Sequence, residues 1–189
     1  MNGQTANKLQ GRAIGSAFFA GFGALWLVLA LIARGALHVT TASAVLLVMA
    51  VLLLAARSLY RAARRFPREP DDPAVGRAFA WVNGIQWIAI SIVAFSFARL
   101  HIDAYVLSAI AAIVGLHMFP LARLFRYPLH HVTGAALVAW AAASAIAFPT
   151  ELMQAVAALG TGAILWLSAT AGLTLGLSSV RQASGAFTR

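Results

Sequence analysis

A 189-residue chain that is 61% hydrophobic and only 10% charged cannot cover a water-facing core with polar side chains, since an ordinary soluble domain is about a quarter charged. Its net charge of +9 would suit a nucleic-acid partner, but the basic residues flank apolar runs without any stacking-aromatic or recognition-helix pattern, so no nucleic acid is expected. The absence of cysteine excludes a disulfide framework, a thiolate metal site, an Fe–S cluster and a thiol nucleophile.

Six apolar stretches of about 20 residues follow one another, each long enough to cross a bilayer. The first, residues 14–33, follows a polar start with Lys8 and Arg12 and reads as an uncleaved helix rather than a signal peptide. A tight turn at Arg34-Gly35 leads to the second, residues 41–56, with Thr40 or Thr41 as its expected cap. The longest connection, a basic loop over 57–76, holds Pro67, Pro70 and Pro73 and ends in Asp72-Pro73, a cap followed by the residue suited to a first helical position.

The third span, residues 78–98, is expected to be the most polar, with Asn83, Gln86, Ser91 and Ser96. Asp103 is expected to cap the fourth, 104–124, which Pro120 interrupts. Pro128 opens the fifth, 129–148, and Pro149-Thr150-Glu151 separates it from the sixth, 152–177. The expected architecture is therefore one all-α domain over 1–189, a polytopic membrane protein of six transmembrane helices. Whether its halves form a three-plus-three inverted repeat stays open.

Of the fourteen Lys and Arg, only Arg34 and Arg99 fall on the side opposite the termini if the chain crosses six times. Basic residues are retained on the cytoplasmic side, so the N-terminus and C-terminus are both expected there. One Lys against thirteen Arg, with abundant Ala, points to a bacterial gene and hence to a multi-pass protein of a bacterial inner membrane. Arg57, Arg61, Arg64, Arg65 and Arg68 recur at helical spacing beyond the second span, a stripe expected to bind anionic phospholipids.

The chemistry-bearing residues are few. None of the five acidic residues lies deep in a span, so the midplane carboxylate usual in proton relays and cation-coupled carriers is missing. There is no His-Glu-x-x-His helix and no Gly-x-Ser-x-Gly turn, and no metal, cofactor or catalytic residue is assigned. The candidate ligand site pairs the third and fourth spans. Asn83 and Gln86 share a helix face with Trp87 one turn beyond Asn83, and His117 lies at comparable depth on the next span. Pro120 has no amide hydrogen for the Leu116 carbonyl, which predicts a kink, while Gly115 permits close approach of a backbone or a ligand.

The segment Gly115-Leu116-His117-Met118-Phe119-Pro120 resembles a Gly-x-His-Phe-x-Pro segment of uncharacterised bacterial multi-span membrane proteins, with Met118 in place of the Phe. The resemblance implies a helical membrane fold and transfers no functional residue.

Trp26, Trp140 and Trp166 sit toward the middle of their spans and require acceptors inside the bundle, either as core filling or around a cavity. Two small-residue stripes, Ala135-Ala139-Ala143-Ala147 and Ser168-Gly172-Gly176, suit close helix contact within the chain or in a homo-oligomer. His130 and His131 read as interfacial residues at the mouth of the fifth span. The function these features favour is a small-molecule transporter or channel with a cytoplasm-facing pocket between spans three and four. A membrane-embedded scaffold, assembly factor or sensor is the alternative. An intramembrane enzyme or cofactor carrier would have to work through His117 almost alone, so catalysis is not favoured.

Overall fold

The computed structural model describes residues 3–66, 69, 70 and 72–186, with side chains from 6 to 182. Pro67, Arg68, Asp71 and Arg189 lie outside the described residues, and with them Arg68 of the expected lipid stripe. Six helices follow in order: α1 (Gly3–Ala33), α2 (Val39–Ala63), α3 (Pro73–Arg99), α4 (Val106–Leu124), α5 (Leu129–Ala147) and α6 (Thr150–Ala186). A single 3₁₀ turn, Asp103–Tyr105, precedes α4, and no strand occurs among the described residues. All six helices are long and apolar enough to cross a membrane. Even the shortest, at 19 residues, reaches ~28 Å against a hydrocarbon core of ~30 Å.

Several helices outrun the apolar windows, because intrahelical hydrogen bonds continue through polar flanks that a hydropathy reading leaves out. α1 begins eleven residues ahead of its apolar run, and α6 continues to Ala186. α2 ends at Ala63, with Arg64 as its C-cap and Arg65 in the following turn. The basic stripe is thus helical through Arg61 only, and Arg57, Arg61, Arg64 and Arg65 are all exposed.

Local signals set the boundaries. Asp72 Oδ1 accepts the Ala74 amide at 2.8 Å, with Pro73 in the first helical turn. The cap of α2 is His38 rather than a threonine; Thr41 Oγ1 instead accepts the His38 amide at 3.0 Å, tying the turn from the inside. Asp103 opens the 3₁₀ turn without capping α4, and its carbonyl accepts Gln154 Nε2 at 2.7 Å. α1, α3 and α4 close with an amide reaching five residues back: Ala36 to Leu31, Ile102 to Phe97 and Tyr127 to Ala122. The residue before each donor has positive φ, namely Gly35, His101 and Arg126.

Packing divides the helices into a core of four and two flanks. Phe19 and Trp26 of α1, Met118 and Leu121 of α4, Leu137 of α5 and Leu165 of α6 belong to one buried cluster. A second cluster joins Leu9, Ala13, Leu59, Ala63 and Leu173, so α2 docks on α1 and α6 near the basic end. α3 lies against α4 and buries no residue. The outward surface is apolar, with Val39, Leu47, Trp81 and Ile146 strongly exposed, an arrangement suited to lipid.

Glycine sets the closest crossings. A Cβ on Gly115 would stand 2.9 Å from the Gly134 carbonyl oxygen, and one on Gly134 would stand 2.7 Å from that of Gly115. Gly115 therefore admits the α5 backbone, and α4 runs unbroken through Pro120. Trp166 lies over Gly23 and donates Nε1 to the Ala20 carbonyl at 3.0 Å; Trp140 lies over Gly160 and donates to Val156 at 3.1 Å. Both indoles fill helix crossings. The stripe Ser168-Gly172-Gly176 faces inward, whereas Ala135, Ala139, Ala143 and Ala147 are exposed and do not hold α5 against α6.

Candidate functional site

Beneath the basic end, the first turns of α1 meet the α4–α5 turn, the start of α5 and the later half of α6. The left-handed residue Arg126 (φ 49°) turns the chain sharply and sends Tyr127 back under α1. The Arg12 guanidinium lies 5.2 Å from the Tyr127 ring centroid. Next along the chain, His130 is 8% exposed and stands edge-on to two rings, Tyr127 at 5.0 Å and Phe19 at 5.6 Å. One turn deeper, the Thr133 and Ser168 hydroxyls share a hydrogen bond of 2.8 Å, and Thr133 also donates to the Leu129 carbonyl.

Arg12, Ser16, Tyr127, His130, Ser168 and Gly172 line a cavity of about 20 Å³. A Cβ on Gly172 would stand 2.8 Å from Ser16 Oγ and 3.3 Å from Tyr127 Oη, so glycine there preserves the space. The volume suits about one water molecule, which needs two to four polar partners. Two buried atoms beside it, Tyr127 Oη and His130 Nδ1, have no partner within the described chain. Burial raises the Tyr127 phenol above its ordinary value while Arg12 pulls it back down, so the hydroxyl is a hydrogen-bond donor at neutral pH. No carboxylate lines the cavity.

The residues predicted as a site are distributed differently. His117 is 8% exposed, faces the Val82 backbone of α3, and leaves Nδ1 without a partner. Asn83 is half-buried and donates Nδ2 to the Phe79 carbonyl of its own helix at 3.0 Å. Gln86 is half-buried, and Trp87 is 56% exposed. None of these four residues lines this cavity or the apolar cleft at the opposite end. Among the described residues no three His, Asp or Glu converge as metal ligands.

Sequence reasoning passes over Tyr127, His130, Thr133, Ser168 and Ser16. The signal was present in the spacing: His130, Thr133, Leu137, Ala141 and Ser144 recur every three or four residues and all are buried. Reading His130 as interfacial broke that series at its first member. No protein-family model, curated protein or solved structure matches this chain.

Proposed function

We propose that this chain is a multi-pass protein of a bacterial inner membrane with both termini cytoplasmic, and that it transports a small polar solute. Its cytoplasmic binding position is the Tyr127–His130 cavity, adjoining the His117 position between α3 and α4. The observation that carries this reading is the set of five buried polar atoms left without partners among the described residues: His117 Nδ1, His130 Nδ1, Tyr127 Oη and Thr161 Oγ1 within the bundle, and Asn7 Oδ1 near the start of α1. Each of those within the bundle costs several kcal/mol in lipid when nothing answers it, and polar groups retained inside spans mark solute pathways. The lining supplies a cation, a phenol O–H and hydroxyls with no carboxylate among the described residues, and the space is that of about one water molecule, so the solute class is a water-sized anion or neutral hydrogen-bonding molecule. The exposed Arg57, Arg61, Arg64 and Arg65 hold anionic phospholipids at the same face, and the exposed alanine stripe of α5 suits self-association.

The second reading, a membrane scaffold or sensor, is favoured by the closed crossings at Gly23, Gly115 and Gly160. Because the chain has no cysteine, single substitutions separate the two. Under transport, Ser16→Cys and Ser168→Cys react with a membrane-impermeant thiol reagent from the cytoplasmic side, and Ser108→Cys or Thr161→Cys reacts from the other. If none of the four reacts from either side, while exposed controls outside the spans, Arg65→Cys at the basic end and His101→Cys at the other, do react, the scaffold reading replaces the transporter.

A further inference from the structure

At the end opposite the basic loops, α2 leaves the bundle. Its buried residues, Ala56, Leu59 and Ala63, are confined to its second half, where they close on Leu9, Ala13 and Leu173. Its first half bounds a cleft of about 620 Å³ against α1 and α6, within the ~300–1,000 Å³ range of small-molecule sites. Small side chains at Ala30, Ala36, Ala44 and Ala155 leave the space open, and the remaining lining is aliphatic apart from Arg34 and Thr41. The Thr41 hydroxyl is spent on the turn, donating to the Ala36 carbonyl at 2.9 Å and accepting the His38 amide. Arg34 is the one charged group lining the cleft; it is exposed and has no ion pair among the described residues.

We propose that this cleft seats one acyl chain of an anionic phospholipid from the leaflet opposite the basic face, with Arg34 holding the headgroup phosphate. Three observations select that occupant. The lining from Leu27 to Arg34 and from Leu152 to Leu159 is seven residues deep, ~10 Å, which fits one leaflet of a ~30 Å core. A helix from a second protein would need the full thickness, and from Leu52 onward the second half of α2 closes on α1 and α6, which leaves the slot too short for it. An apolar slot ending in one unpaired guanidinium matches a molecule with an apolar tail and an anionic head. The inference rests on the bilayer reading alone and is independent of transport.

The test uses the full chain in nanodiscs containing phosphatidylglycerol with a photoreactive group on its acyl chain. Cross-links are expected to concentrate in residues 27–45 and 152–159. Arg34→Gln is expected to lower that labelling about fivefold, the effect of one basic residue near a headgroup. Ala44→Phe fills the slot and is expected to lower it further, whereas Arg99→Gln, at the same end but outside the cleft, leaves it unchanged. Arg34 is exposed, so its substitution leaves the fold intact and the outcome readable. Labelling spread evenly over the outer faces of α2 and α3 and insensitive to Arg34→Gln would overturn the proposal. Chain-to-chain cross-links from the cleft in place of lipid adducts would overturn it equally.

Discussion

α3 and α5 are both apolar enough to span a membrane, and they place their polar residues in opposite ways. Over its most apolar window α5 has mean hydropathy 1.3 against 1.6 for α3, yet α5 lies in the four-helix core and α3 on its outside. On α5, His130, Thr133 and Ser144 are buried, with Thr133 bonded to Ser168 and Ser144 to Ser108 at 3.0 Å. On α3, Asn83 answers its amide with a carbonyl four residues back and needs no neighbour. Polar content therefore does not rank helices by depth. Polar residues repeated every three or four positions, interleaved with small ones, mark the interior face.

Truncation in the two helices should break the comparison most visibly. Leu137 is fully buried and Ile88 is 61% exposed. Leu137→Ala is expected to cost ~2–5 kcal/mol, and Ile88→Ala within ~0.5 kcal/mol, read as thermal denaturation in detergent. Equal losses would mean that α3 is covered by another chain.

The glycines give the next effect. Gly134→Ala drives a methyl into the Gly115 carbonyl oxygen and is expected to cost ~1–3 kcal/mol by overpacking. Gly84 on α3 has nothing within 4 Å of its Cβ position, so Gly84→Ala is expected to be neutral or to stabilise by ~0.4–1 kcal/mol. The same melting assay decides both.

Tyr127, at the foot of α5, adds a pH dependence. Burial raises its folded pKa above the ordinary 10.0, against the pull of Arg12, so the folded state holds its proton more tightly than the unfolded chain. The resulting stability is fully present below pH 10.0 and is lost as pH rises through the higher folded value. Tyr127→Phe is expected to flatten the alkaline fall in melting temperature. An unchanged alkaline limb would place that loss in another group.

The six-helix layout was legible because hydropathy is a local property: the spans, the Asp72-Pro73 start and the Pro149 break all stand close to where the structure has them. Adjacency of helices joined by short turns was legible, and α1 meets α2 and α3 meets α4 as expected; the α1–α6 contact between the ends of the chain was not, since lipid is as apolar as a leucine face and nothing in a window says which distant helices meet. Half of the polar site suffered from the same locality. His117 was visible inside its span, but Tyr127 is covered by Arg12 in the polar beginning of α1, ahead of the apolar run where the helix was expected to start, and His130 by Phe19 of that distant helix. Arg126 hid the turn as well, occupying a left-handed position that glycine usually marks.

The smallest effect tests the comparison where the sequence argued hardest for a site. With its amide answered by Phe79 on its own helix, Asn83 contributes little that another helix would miss. Asn83→Leu is therefore expected to change stability by less than ~0.5 kcal/mol. Ser144→Ala on α5 removes the bond to Ser108 and is expected to cost ~0.6–1.7 kcal/mol, the range for hydrogen bonds between membrane helices. Melting of the purified variants in one detergent ranks them directly. If Asn83→Leu is the more damaging, its amide serves a partner beyond α3, a second chain or a bound solute. The binding position would then move from the Tyr127–His130 cavity toward His117 and the α3 face.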